Sequence, residues 1–143
     1  MRLTTNFTLA ELTVTSTGIA NTPTPSEIVH LRNLAEKILQ PLRDDLRRPV
    51  LVNSAFRSER VNRAVGGTPT SQHRLGQAAD IRVDGMTSRA LAQRIIDLRL
   101  PFDQVIEEFG RWVHVSYGPR HRRQVLTAVK RGGRTVYESG LTA

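Results

Sequence analysis

Phe102-Asp103-Gln104-Val105-Ile106-Glu107-Glu108-Phe109-Gly110-Arg111-Trp112-Val113-His114-Val115-Ser116-Tyr117 decides the reading of the fold. Phe102 to Phe109 and Trp112 to Tyr117 are rich in β-branched and aromatic residues. They read as two strands joined tightly around Gly110-Arg111. Alternation puts Val113 and Val115 on one face, suited to a core, and Trp112, His114 and Ser116 on the other. Upstream, Ala78 to Val83 and Pro49 to Phe56 read as further strands; downstream, Gln124 to Val129 reads as another.

Helices precede the sheet. Thr24-Pro25-Ser26-Glu27 is a helix start: Thr24 caps, Pro25 suits the first helical position and Glu27 completes a capping box. Ile28, Leu31, Leu34, Ala35, Ile38 and Leu42 then recur at helical spacing. Pro41 is expected to kink or end that helix, with the pattern resuming to Leu46. Thr87 caps a second helix through Leu98, with Ala90, Leu91, Ile95 and Leu98 on its buried side. A long loop runs from Arg57 to Gly76, with one helical turn near Val61; loops of that length in compact domains commonly carry function. The expected fold is α+β: N-terminal helices packed on a small, mostly antiparallel sheet. There is no internal repeat, low-complexity stretch or Gly/Ser linker, so 1–143 is expected to be a single domain.

A chain of 143 residues is long enough to bury a core without staples. It has no cysteine, which excludes a disulfide scaffold, a Cys-ligated zinc finger, an iron–sulfur site and a thiol nucleophile. No apolar run approaches the ~20 residues that a membrane span needs. The opening residues lack the apolar stretch of a secretory signal, so synthesis in the cytoplasm without a signal peptide is expected. The net charge is +8, and the segment 120–143 holds six basic residues against one acidic. Such a surface attracts polyanions, whether nucleic acid, anionic lipid or an anionic cell envelope, or it is simply a solvated face.

Four histidines are present. His30 lies in the first long helix, where a solvated or capping role is expected. His121 sits among Arg120, Arg122 and Arg123, whose charge disfavours a metal. His73 and His114 differ. His73 precedes Gly76, which lets the backbone turn, and Ala78-Ala79, which let loop and strand pack closely. Asp80 follows within an apolar strand, and a carboxylate there is costly to bury unless paired or metal-bound. Asp80 therefore reads either as a salt bridge to one of many arginines or as a metal ligand. His114 reads either as a cleft histidine or as a ligand. Together, His73, Asp80 and His114 make a three-ligand set with an open fourth position, which suits catalytic zinc.

Ser71-x-His73-x-x-Gly76-x-Ala78-x-Asp80 followed by Trp112-Val113-His114-Val115-Ser116 resembles the zinc peptidases of the M15 group. These are D-alanyl-D-alanine carboxypeptidases and L-alanyl-D-glutamate endopeptidases that cut peptidoglycan stem peptides. The likeness is to the short single-domain branch. It extends to Asn6-Phe7-Thr8-Leu9-Ala10-Glu11-Leu12, to Ser54-Ala55-Phe56-Arg57-Ser58 with Val61-Asn62 and Gly66-Gly67, and to Phe102 to Phe109. The resemblance implies that His73, Asp80 and His114 hold one Zn2+ per chain. In the wider family an acidic residue three positions before the last histidine is the general base; here that position is Arg111, which cannot serve. Glu107 and Glu108 are the nearby candidates, and the short branch carries its acid at the position of Glu108. A three-residue turn, Phe109-Gly110-Arg111, pairs Glu108 with Trp112 and puts it on the face of His114; a two-residue turn places Glu107 there instead. The resemblance also places Arg57 near substrate, against a surface ion pair with Glu59 or Asp103. Ser71 orients His73 or touches substrate.

These residues lead to the expectation of a zinc-dependent hydrolase of peptidoglycan stem peptides, a carboxypeptidase or an endopeptidase. It is expected to act as a monomer, with the basic segment 120–143 drawn to the anionic envelope. Without a signal peptide, it would reach the cell wall through a holin or in a virion, as a phage endolysin does. Two rivals stand beside this reading. One is a zinc-binding module without catalysis, suggested by Arg111. The other is a basic nucleic-acid-binding protein, disfavoured by 5% aromatics with no interleaving of aromatic and basic residues.

Overall fold

The computed structural model describes residues 1–142. A single turn, α1 (Leu9–Leu12), is closed by a Thr8–Glu11 capping box. The helix α2 (Pro25–Leu34) starts as its sequence predicts: the Thr24 hydroxyl accepts from the Glu27 amide, and the Glu27 carboxylate accepts from the Thr24 amide. The helix does not end at Pro41. It passes through a π-helical turn at Ala35–Leu39 into α3 (Gln40–Leu46). Proline lacks an amide hydrogen and its ring crowds the carbonyl four residues back. The wider turn before it, where the Gln40 amide bonds the Ala35 carbonyl, absorbs that mismatch without a break.

The strand β1 (Leu51–Ser54) leads into the long loop, which holds two short helices rather than one: α4 (Glu59–Ala64) and α5 (Gln72–Leu75). Then come β2 (Ala78–Arg82), α6 (Ser88–Asp97), β3 (Gln104–Glu108), β4 (Trp112–Ser116), β5 (Gln124–Arg131) and β6 (Arg134–Ser139). Thr87 caps α6 as expected, its hydroxyl accepting from the Ala90 amide. The buried stripe of α6 is Ser88, Leu91, Ala92 and Ile95. Ala90, expected inside, falls off this i, i+3, i+4, i+7 row and is exposed.

The six strands form one sheet in the order β1-β2-β4-β3-β5-β6. Every pairing is antiparallel except β3 with β5. The final hairpin turns at Gly132-Gly133, both at positive φ, the conformation a two-residue hairpin turn requires. Residues 120–143 are therefore not a loose basic tail: they supply two of the six strands.

One face of the sheet packs on the helices. Ala79, Ile81, Val105, Val113 and Val115 meet Leu31, Leu34, Ile38, Leu91 and Ile95 in one cluster, all 1% exposed or less. Each such Leu, Ile or Val contributes about 1.5–3 kcal/mol by leaving water. The opposite face is free of long helices. It carries Asp80, Ile106, Glu108, Trp112 and His114, and the loop holding α4 and α5 lies beside it. Among the described residues no helix is long and apolar enough to cross a membrane.

Candidate active site

Strand pairing brings the acidic and imidazole groups together. Asp80 on β2 lies opposite His114 on β4, and Ser54 on β1 lies opposite Asp80. Directly paired residues share a face, so three strands contribute to one patch. His73 arrives from outside the sheet. Ser71 caps the four-residue α5, its hydroxyl accepting from the His73 amide at 3.2 Å. Gly76 ends α5 at φ +77°, and a Cβ there would stand 2.8 Å from the Glu27 carbonyl oxygen. Only glycine lets the chain turn so close to α2 and re-enter as β2. His30, in α2, donates from Nδ1 to the Leu75 carbonyl at 2.7 Å, a capping role that ties α2 to α5.

His73 and Asp80 are buried and His114 is half-buried. One Asp80 oxygen, Oδ1, lies 3.2 Å from His73 Nε2 and 3.2 Å from His114 Nδ1. His73 Nδ1 is 2.7 Å from the Ala55 carbonyl. A carbonyl only accepts, so Nδ1 carries the proton and Nε2 of a neutral His73 presents a lone pair to Asp80. Burial holds the His73 imidazole below its ordinary value, against the pull of Asp80. Burial works to raise the Asp80 carboxyl, but its two imidazole neighbours, His73 and His114, outweigh it and keep the carboxyl ionised, below the usual carboxylate range. A neutral imidazole and an ionised carboxylate thus aim acceptor at acceptor, an arrangement a shared cation relieves. One ligand atom from each of His73, Asp80 and His114 can be chosen so that all three lie within 4.8 Å of one another, a set able to hold a metal ion. Two nitrogens and one oxygen, with an imidazole fixed from behind by a carbonyl, fit zinc.

Arg57 approaches the same carboxylate. Its Nη2 stands 3.6 Å from Asp80 Oδ2, while Nε donates to Ser54 and Nη1 to Asn62. The alternative partners, Glu59 and Asp103, are not taken up. Asp103 is engaged elsewhere: its fully buried carboxylate receives the Arg122 amide, Nε and Nη2, and Gln72 Nε2.

The turn between β3 and β4 has three residues, Phe109-Gly110-Arg111, and Glu108 pairs with Trp112. Glu108 therefore lies on the face of His114. It is half-buried and accepts from Trp112 Nε1 at 2.8 Å. Burial, then the charge of Asp80, raises its carboxyl above the ordinary value. Glu107 points the other way. It is buried under α6, accepting from the Ser88 hydroxyl at 2.9 Å and from the Gly110 amide at 3.3 Å. Arg111 is exposed in the turn.

His73, Asp80, His114, Glu108, Arg57 and Ser71 all line one open cavity of about 700 Å³. Gln72, Arg120, Arg122 and Tyr137 line it too, and the reading of the sequence did not place them there. The Gly132-Gly133 pair was the available signal for β6 and hence for Tyr137. Nothing local signals that Asp103 holds Arg122 and Gln72. His121 lies outside the cavity, edge-on to the Tyr117 ring.

Comparison with protein families finds that the profile described as Peptidase M15 matches residues 5–116. That span contains the His73, Asp80 and His114 group, Arg57, Ser71 and Glu108, and ends before Arg120 and Tyr137. Comparison with curated proteins finds no match.

Proposed function

Since the chain belongs to the peptidase M15 family, we propose that it is a zinc metallopeptidase that hydrolyses amide bonds in peptidoglycan stem peptides. The observation that carries the reading is the convergence of His73, Asp80 and His114 with Glu108 in one cavity. His73 Nε2, one Asp80 oxygen and a His114 ring nitrogen would hold the ion. When bound there, zinc polarises a scissile carbonyl and lowers the pKa of a water to about 7.

The chain's own groups do the rest. Glu108, braced by Trp112, takes the attacking water's proton and delivers it to the leaving amine as the C–N bond breaks. Its raised pKa suits an exchange of that kind. Arg57 and Arg120 give the cavity a cationic wall suited to a peptide carrying free carboxylates. Ser71 acts by capping α5 and so orienting His73. A single domain spanning 1–143, working as a monomer and reaching the wall by a holin or in a virion, completes the proposal.

The rival reading, a zinc-binding module without catalysis, rests on Arg111. Glu108, on the His114 face of the neighbouring strand, weighs against it. The proposed adhesion through residues 120–143 must rely on fewer charges than the sequence suggests. Arg122 is bound to Asp103, Arg123 to the Leu100 carbonyl and the Phe102 ring, and Arg131 to Glu138.

The test is digestion of purified peptidoglycan by the zinc-loaded protein, with the fragments read by mass spectrometry. Release of terminal alanine marks a carboxypeptidase, and new stem-peptide termini mark an endopeptidase. Intact stem peptides after prolonged incubation would overturn the proposal.

A further inference from the structure

The family match stops at Ser116, yet the cavity wall continues into β6. Glu108 on β3 pairs with Ala128 on β5, and Ala128 pairs with Tyr137 on β6. Paired residues share a face, so Glu108, Ala128 and Tyr137 form one row across three strands, spanning about 10 Å at 4.8 Å per strand step. The residue between the two functional groups is alanine, the smallest side chain of the row, and it is fully buried. Tyr137 lines the cavity beside Glu108 and remains 55% exposed. Its ring is not part of the core, and its hydroxyl makes no hydrogen bond among the described residues.

We propose that Tyr137 is a substrate-contacting residue of this site, its phenol O–H donating a hydrogen bond to the scissile amide oxygen as negative charge develops there. The proposal rests on the peptidase reading above. The chemistry favours a donor. The phenol shares its cavity with two carboxylates, Glu108 and Asp80. A phenol keeps its proton at neutral pH. A neutral phenol held at an open wall, with no internal acceptor, is free to donate to whatever oxygen enters. Arg57 and Arg120 are cationic donors at the cavity; Tyr137 adds a donor without adding charge. No bond to Tyr137 forms or breaks: its hydrogen bond strengthens as the carbonyl oxygen gains charge and relaxes when the amine leaves.

The test uses the full chain loaded with zinc and a soluble stem peptide that the wild type cleaves. Tyr137→Phe removes one oxygen and keeps the ring. It is expected to lower kcat by about 10²-fold, the loss typical of one such donor, with KM changed by less than about threefold. Zinc content should equal that of the wild type. A phosphinic-acid peptide, whose tetrahedral centre imitates the charged state, should bind Tyr137→Phe at least about tenfold more weakly by calorimetry. Tyr137→Phe with kcat within twofold of the wild type would overturn the inference, as would a raised KM with kcat unchanged, because either result leaves the ring as a mere wall. Loss of zinc from Tyr137→Phe would also overturn it, by assigning the residue to the metal site's architecture. A wild type that cleaves nothing overturns the peptidase reading itself. A cleaving wild type with an unaltered Tyr137→Phe overturns this inference alone.

Discussion

Glu107 and Glu108 are neighbours in sequence with opposite surroundings. Glu108 meets the cavity and Trp112; Glu107 lies under α6 against Ser88 and Gly110. The same substitution at both positions therefore separates a proton-transfer role from a structural one. Glu108→Gln is expected to keep zinc and lose about 10²–10⁴-fold in kcat, as when a general base is removed. Glu107→Gln is expected to stay within a fewfold of wild-type rate. Its amide can still accept from Ser88 but no longer offers a charged acceptor to Gly110, at a cost to stability of about 1 kcal/mol. Peptide cleavage assays, metal analysis and urea melts on the two proteins check this. Equal rates in both, with zinc bound, would place the base elsewhere. At the same scale, the buried Asp80 belongs to both of the readings its position allowed. It receives Arg57 at 3.6 Å, and it sits between two imidazoles whose nitrogens are each 3.2 Å away.

At the scale of elements, the decisive addition is the β5–β6 hairpin. Parallel pairing with β5 turns β3 from an edge into an interior strand, and β5 carries the buried Thr127 and Ala128. Removal of residues 120–143 would expose a row of unpaired amides and carbonyls on β3 and leave Asp103 buried without Arg122. The truncated chain is expected to lose cooperative thermal unfolding, as followed by circular dichroism, and with it both metal binding and activity. A truncated protein that melts near the wild-type temperature would show that the sheet closes without the hairpin. The test of adhesion must therefore substitute exposed charges outside the cavity, such as Lys130 and Arg134, rather than delete the segment. The α2–α3 helix makes a related point. Pro41 announces a kink or an end, with the pattern resuming to Leu46; the Ala35–Leu39 π turn lets the helix run from Pro25 to Leu46, keeping Leu34, Ile38 and Leu42 fully buried.

Across the whole molecule, Asp103 is the joint. From the start of β3 it gathers Arg122, ahead of β5, and Gln72, beside the proposed ligand His73. Hydrogen bonds from Arg122 outweigh burial and hold the Asp103 carboxyl to a pKa of about 2. A carboxylate depressed in the folded state gives stability that is complete above its unfolded pKa, near 4, and is lost as pH falls through 2. The expected contribution is about 2 kcal/mol at neutral pH. Asp103→Asn should therefore be less stable than wild type by about that amount at pH 7, and the gap should close between pH 4 and pH 2. Urea denaturation across that range measures it; a gap independent of pH would mean that the ionised carboxylate is not what holds the joint.

Much was legible in the chain because its signals are local. Alternation in Trp112–Ser116, the Thr24 and Thr87 caps and the Ser71 to Asp80 spacing each act within a few residues, where backbone geometry fixes which side chains share a face. They determined the α+β class, five of the six strands and the group His73, Asp80 and His114. The turn length that puts Glu108 rather than Glu107 on the His114 face lay at the border: two parities were open, and only the Glu108–Trp112 pairing chose between them. Tyr137 beside Glu108, the Asp103–Arg122–Gln72 joint and the Ala55 carbonyl behind His73 were decided by the tertiary structure alone. Each joins groups 18 to 31 residues apart. Contact over such distances depends on strand order and the parallel β3–β5 pairing, for which the sequence carries no local periodicity.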